Sequence, residues 1–396
     1  MKRILAFLLL FVFCFSSGVS VFAEEEQKNG ADLYEITNPD FSVKANSAIL
    51  MEAKTGKILY AQNETHAASP ASVTKIMTLL LVMEAIDSGK ISLDDKVTVS
   101  ANAASMGGSQ VFLKEGEEML VRDLIKCTVI ASANDASVAL AEHTFGSEEA
   151  FVRAMNKRAE ELGMSSTSFE NTTGLDDTTR NHVSSALDIA IMSRELISHN
   201  LITEYSSMWQ DTIRDGEFTL TNTNRLVRYY DGCNGLKTGS TDKAGYCISV
   251  TAKRNNTELI AVVMGAESRD VRNETARTLL DYGFSSYALY SREECEIESI
   301  PVRGGTVNSV KIFSRPFESV IDKNHVSSVD VKYEIPEYVT APISSGSVIG
   351  KLTFEIEGKR VGECEVYVKD EIPVIGLFEI FKRILTASVT GNSEKD

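Results

Sequence analysis

The sequence offers little for a metal site or a disulfide framework. It has five histidines in 396 residues and neither an HExxH nor a CxxC spacing, so it shows no metal-ligand pattern and implies no cofactor. Of six cysteines, Cys14 lies in an N-terminal apolar run. The other five, Cys127, Cys233, Cys247, Cys295 and Cys364, are scattered and odd in number, unlike a disulfide-stapled fold. Positive charge is in deficit too: 40 Lys and Arg against 56 Asp and Glu leave a net charge of −16, which excludes a nucleic-acid partner held by phosphate contacts. Internal repeats and low-complexity tracts are absent, and an apolar content of 43% is that of an ordinary globular protein.

What is present begins with "MKRILAFLLLFVFCFSSGVSVFAEEE", a basic start, an apolar run and small residues at Val21 and Ala23 ahead of an acidic stretch. This is the pattern of a secretory signal peptide over residues 1–23, cleaved after Ala23. "FVFC" lacks the small residues expected before a lipid-modified cysteine. Removing the leader takes away Lys2 and Arg3 and leaves a mature charge of about −18.

"SAILMEAKTGKILYAQ" (47–62) alternates apolar and polar residues around a glycine turn and predicts a hairpin. "SPASVTKIMTLLLVMEAIDSG" (69–89) predicts a helix, with Ser69 as N-cap, Pro70 at its first position and Gly89 as the stop. Residues 121–146 have helical periodicity interrupted at "SAN", with Asp135 placed to cap a second segment, and 147–164 open on a Ser cap and stop at Gly163. Three sequential antiparallel strands are expected over 233–266, then a closing helix in "NETARTLLDYGFSSY". Beyond about residue 292, Pro301, Pro316, Pro336 and Pro342 punctuate short β-like runs. The expected class is α+β: a large unit over 24–290 with an antiparallel sheet and a helical cluster, a small β-rich unit over 291–370, and a C-terminal amphipathic helix with a polar tail over 371–396.

Within the 69–89 helix, Ser72 and Lys75 share a face. A serine hydroxyl is a poor nucleophile until a base accepts its proton. Burial of Lys75 among Ile76, Leu79, Leu80 and Met83, with the positive helix end nearby, favours the neutral amine such a base requires. Alone, SxxK also fits a surface helix with a snorkelling lysine. Two further groups follow in order: Ser132-Ala133-Asn134 at the helix interruption, and Lys237-Thr238-Gly239 on a strand before a turn. Together they offer a second hydroxyl for proton relay, an amide for a peptide group and a cationic edge for a carboxylate. An earlier Lys54-Thr55-Gly56 precedes the serine and lies in the hairpin turn, a structural position.

SxxK, SxN and KTG in this order identify the serine penicillin-binding and β-lactamase family. "PASVTKIMT", "GSQVFLKEGE", "ASANDASVALAE", "GLKTGSTDKAGYC" and "AVVMGAESRDVRNETARTLLDYGF" further resemble the D-alanyl-D-alanine carboxypeptidases, low-molecular-mass penicillin-binding proteins. The resemblance is dense over about 45–285, and the region 292–370 is similar to that family's membrane-proximal β domain in position and texture. It implies Ser72 as the acylated nucleophile, Lys75 as its base, and Ser132 as the relay to the leaving amine. Asn134 would hold the peptide side of the substrate. Lys237, Thr238 and Gly239 would line the strand that grips the terminal carboxylate, and the backbone N–H groups of Ser72 and Ser240 would form the oxyanion hole. Arg272 matches a family arginine near the carboxylate, or is a solvated charge at a helix start. The implied partners are stem peptides ending in D-Ala-D-Ala, β-lactam antibiotics and a membrane surface, at the extracytoplasmic face of the cell membrane.

Asn171 and His182 fall where the family has a loop near the site, in a functional or a turn-forming role. Cys233 and Cys247 would be cross-strand neighbours if the turn were centred near residue 240, and are either paired or buried free thiols. Two other functions remain open: a class A β-lactamase, whose E-x-x-L-N run has no counterpart because no Leu-Asn pair occurs, and a penicillin sensor that acylates without turnover. In "PVIGLFEIFKRILTASV" (373–389), Val374, Leu377, Phe378, Phe381, Ile384, Leu385 and Ser388 gather on one helical face, opposite Glu379, Lys382, Arg383 and Thr386. The segment is too short and too charged to span a bilayer, and its pattern is that of a helix lying in the membrane plane.

Overall fold

The run Leu259–Met264 is apolar at every position because its strand is covered on both faces. The computed structural model describes residues 33–36, 39–177 and 179–390; the leader and the polar tail lie outside them. Strands β1 (Ser47–Glu52), β2 (Ile58–Gln62), β3 (Cys233–Thr241), β4 (Gly245–Arg254) and β5 (Thr257–Ala266) form one sheet in the order β2-β1-β5-β4-β3. Every pairing is antiparallel. The hairpin and the three sequential strands expected from the sequence are both there. Chain ends far apart in sequence meet where β1 pairs with β5.

Ile260, Val262 and Met264 face a helical cluster with Ile49, Leu79 and Leu80, while Leu259, Ala261 and Val263 face helix Arg269–Ser286 through Leu279 and Leu280. Alternate residues of one strand therefore serve two cores. The helix after the nucleophile, α1 (Lys75–Asp87), is buried on all sides: only Glu84, Ile86 and Asp87 escape full burial. A buried helix needs no amphipathic stripe.

Two local expectations are corrected. Ser69 is not an N-cap: the chain enters α1 through a 3₁₀ turn, Ala71–Thr74, that has no side-chain cap. Asp135 does not cap the second helix of the interrupted pair, which starts at Asn134. Its buried carboxylate instead accepts hydrogen bonds from the Val111 and Leu113 amides and pins that loop beside the site.

The C-terminal part builds a second, six-stranded sheet in the order 330–334, 348–356, 359–368, 309–314, 295–303 and 339–340, around Ile312, Leu352, Phe354, Val366 and Val368. Lys54 of the first Lys-Thr-Gly tripeptide forms an ion pair with Glu318, tying the β1–β2 turn to this unit. The β-rich unit continues past residue 370. Ile372 is buried in its core and pairs with Ile343, and the Thr306 amide bonds to the Pro373 carbonyl. Helix Leu377–Thr390 follows, with Leu377, Phe378, Phe381 and Ile384 each at least 59% exposed. Its other side is docked by Arg383, which donates to the Thr306 carbonyl (2.6 Å) and to Asn308 (2.9 Å). No helix among the described residues is long and apolar enough to cross a membrane.

Candidate active site

Ala71 adopts a left-handed conformation (φ 48°), a strained state for a residue with a side chain. It turns Ser72 out at the mouth of the 3₁₀ turn, half-buried, while Lys75 opens α1 and is fully buried. The Lys75 Nζ lies 3.0 Å from Ser72 Oγ, 2.6 Å from Asn134 Oδ1 and 2.8 Å from the Thr173 carbonyl. Burial, and then the charge of Lys237, hold the Lys75 amine well below the ordinary lysine range, against the opposing pull of Asp135. The last two of its neighbours can only accept from it. A neutral amine that donates to both leaves its lone pair for the Ser72 hydroxyl proton.

Ser132 is also left-handed (φ 64°), at the break between helices Val121–Ile130 and Asn134–Phe145. Its Oγ accepts a 2.8 Å hydrogen bond from Lys237 Nζ, which reaches across from β3 and also donates to the Thr238 carbonyl. Lys237 is 1% exposed, and burial followed by repulsion from Arg272 pushes it down to about 7. Asn134 gives its oxygen to Lys75 and donates from Nδ2 to the Gly107 carbonyl at 2.7 Å, so one amide N–H is left for a ligand. Strand β3 passes so near the nucleophile turn that only glycine fits at 239: a Cβ there would lie 2.8 Å from the Ser72 nitrogen and 2.9 Å from that of Val73. Ser240 follows it at the rim of the same cleft.

The cleft is a cavity of about 700 Å³ whose lining includes Ser72, Ser132, Thr238, Gly239, Ser240 and Arg272. Lys75, Asn134 and Lys237 lie behind this lining, hydrogen-bonded to Ser72, Lys75 and Ser132 respectively, so the structure brings the three motifs and Arg272 together. Arg272 is 3% exposed, with Nη1 3.4 Å from the Cys247 carbonyl, so it is not a solvated helix-start charge. Burial and then Arg269 push its guanidinium down to about 10.

Asn171 is a turn-former: Oδ1 accepts from the Gly174 amide (2.7 Å) and Nδ2 donates to the Leu175 carbonyl (2.7 Å). The His182 ring, pushed down to about 4 by burial, accepts from the Glu170 amide at Nδ1, which leaves Nε2–H to donate to Thr74 Oγ1 at 2.8 Å. Both shape the floor under Ser72 and do not line the cleft. A side chain on Gly174 would collide with the Ala71 carbonyl. Register decides between the two cysteine readings in favour of free thiols. The turn is centred near residue 243, so Cys247 faces Gly239 while Cys233 faces Ala252, and both thiols are free.

Sequence reading missed Thr223, whose hydroxyl accepts a 2.8 Å hydrogen bond from Thr238 Oγ1. It also missed Asp176, which accepts from Thr241 at 2.5 Å and Ser69 at 3.4 Å and so ties the segments on either side of the Ser72–Ser240 gap. Trp209, Arg225, Tyr229 and Arg269 on the cleft wall were missed as well. None carries a motif of its own.

A five-stranded antiparallel sheet with helices on both faces, and a serine–lysine pair between a second serine and a Lys-Thr-Gly strand, define the penicillin-binding and β-lactamase fold. The D-alanyl-D-alanine carboxypeptidase family matches residues 34–268, and the C-terminal domain of penicillin-binding protein 5 matches 284–374. The chain belongs to that carboxypeptidase family. It is 42% identical to D-alanyl-D-alanine carboxypeptidase DacF of Bacillus subtilis over 97% of this chain and 98% of the relative. It is 33% identical to DacA of Haemophilus influenzae over 96% of both. Penicillin-binding protein 5 of Haemophilus influenzae superposes with a TM-score of 0.75 at 33% identity, covering 86% of this chain and all of that one. Penicillin-binding protein D2 of Listeria monocytogenes, solved with ampicillin bound, superposes at 0.57 with 34% identity over 62% of this chain and all of its own.

Proposed function

We propose that the protein is a serine D-Ala-D-Ala carboxypeptidase that removes the terminal D-alanine of peptidoglycan stem peptides through a Ser72 acyl-enzyme, and that β-lactams acylate the same serine. The observation that carries this reading is the fully buried Lys75 amine 3.0 Å from Ser72 Oγ, with only acceptors as its other partners. Lys75 takes the hydroxyl proton as Ser72 attacks the penultimate D-alanine carbonyl. The Ser72 and Ser240 amides stabilise the oxyanion. Ser132, held by Lys237, passes a proton to the leaving amine, the C–N bond breaks, and free D-alanine departs. Water then cleaves the ester and Ser72 recovers its proton. Lys237, Thr238 and Arg272 grip the substrate's terminal carboxylate, and Asn134 its peptide group.

The test is D-alanine release from an N-acylated peptide ending in D-Ala-D-Ala, run beside labelling with a fluorescent penicillin. Both should be present in the wild type and lost in Ser72→Ala, with the melting temperature nearly unchanged. Labelling that survives the substitution would overturn the nucleophile.

The same reading places the mature chain outside the cytoplasm, on the membrane surface. The leader pattern of residues 1–23 supports export. The exposed face of Leu377, Phe378, Phe381 and Ile384 supports a helix lying in the acyl boundary.

A further inference from the structure

The cleft is more cationic than its reaction requires. A substrate ending in D-alanine brings one carboxylate to the end of the site, where Lys237, Thr238 and Arg272 already converge. Two more arginines, Arg225 and Arg269, line the same cavity, and both side chains are exposed to it. Neither guanidinium is hydrogen-bonded or ion-paired to any described residue. Both lie near enough to Arg272 for their charges to disfavour its protonated form. Arg269 and Arg272 also sit in the first turn of an 18-residue helix, the end where the backbone dipole adds positive potential.

No acidic residue is among those that line the cavity, although the chain as a whole carries a net charge of −16. Unpaired like charges facing one cleft repel each other and are tolerated where an anion is meant to enter. Space agrees with charge. A cleft of about 700 Å³ with Thr223, Arg225 and Arg269 in its lining gives an anionic side chain room to enter.

We propose that Arg225 and Arg269 form a second anion subsite on the leaving-group side, one that takes a C-terminal D-residue carrying a carboxylate in its own side chain. The inference rests on the carboxypeptidase reading and adds a substrate class to it: peptides ending in D-Ala-D-Glu or D-Ala-D-Asp. The bond change is the same hydrolysis. The D-Ala carbonyl carbon passes from nitrogen to Ser72 oxygen and then to water, and the acidic residue leaves as the free amino acid with the relayed proton on its amine.

Glutamate and glutamine have the same shape and differ in one charge, so the pair isolates the electrostatic contribution. The full mature chain is given N-acylated peptides ending in D-Ala-D-Ala, D-Ala-D-Glu and D-Ala-D-Gln, and the released amino acid is measured. We expect kcat/KM for the D-Glu peptide to exceed that for D-Gln by about fivefold at low salt, the size of two partly exposed charge pairs. The ratio should shrink toward one in 0.5 M salt, by screening whose length is then roughly 4 Å. In Arg225→Gln/Arg269→Gln the ratio should fall to about one even at low salt. A wild-type ratio at or below one, or an unchanged ratio in the double variant, overturns the subsite while D-alanine release still upholds the carboxypeptidase. Absence of release from all three peptides overturns the carboxypeptidase itself. If the double variant fails to fold, the wild-type ratio and its salt dependence still decide.

Discussion

Gly239 and Ser72 meet backbone to backbone: a Cβ on Gly239 would lie 2.8 Å from the Ser72 nitrogen and 3.0 Å from the Pro70 carbonyl oxygen. These are fixed main-chain atoms, so no rotamer change relieves the contact. The gap between β3 and the nucleophile turn is therefore set to the thickness of a bare peptide, and the two proposed oxyanion donors, Ser72 and Ser240, stand on either side of it.

Gly239→Ala should wedge this gap open. We expect penicillin acylation to slow by at least about a hundredfold, the cost of losing one oxyanion donor. Thermal stability should fall by about 1–3 kcal/mol, as for overpacking. Stopped-flow acylation beside a melt checks both, and wild-type acylation would show that the turn yields freely.

Lys75 and Lys237 should fail in different ways. Lys75→Ala removes the group that lies 3.0 Å from Ser72 Oγ and is placed to take its proton, and should abolish acylation at every substrate concentration. Lys237→Ala should act mainly on ligands that carry the carboxylate, lowering kcat/KM for D-Ala-D-Ala peptides more than for an analogue lacking that group. Equal losses on both substrates would argue against a carboxylate anchor.

The buried lysines also set a pH dependence of stability. Lys237 is about 7 in the folded protein against an ordinary 10.5, so between those values the folded state holds fewer protons than the unfolded chain. Its contribution to stability rises with pH across that window and is most unfavourable below about 7. Lys237→Met keeps much of the volume without the charge. We expect the variant to be more stable than the wild type at pH 6, and this gain to shrink by up to about 1.4 kcal/mol per pH unit toward pH 10. Denaturant melts of both proteins at several pH values measure it, and a gain that grows with pH would reverse the sign.

The C-terminal helix should be separable only after the β-rich unit is complete. A chain ending at Gly376 keeps Ile372, which is 2% exposed in the β core, and should be soluble, folded and fully active on small peptides. A chain ending at Asp370 loses that residue and should be destabilised by about 2–5 kcal/mol. The full mature chain should sediment with membranes and be released by detergent more completely than by salt. Equal release by salt would count against burial of the apolar face.

Much of the site was legible in the sequence because its parts are local. Ser72 and Lys75 are three residues apart, and a single helical turn brings them together whatever surrounds it. The Ser-Ala-Asn break and the Lys-Thr-Gly strand are short enough to be recognised with their order intact, and β1–β2 and β3–β5 follow from alternation and turns. What depends on distant pairing could only come from the tertiary structure. The register of β3 on β4 separates Cys233 from Cys247. Arg272 is buried against Cys247, 25 positions away, and Asp135 turns from a cap into a clamp because a loop 22 to 24 residues earlier lies against it. Thr223, Arg225 and Arg269 have no pattern of their own. They line the cleft because the fold packs their segments against the sheet, Thr223 against Thr238 of β3 and the helix of Arg269 on β4 and β5, a matter of long-range contacts whose energy no short stretch of sequence contains.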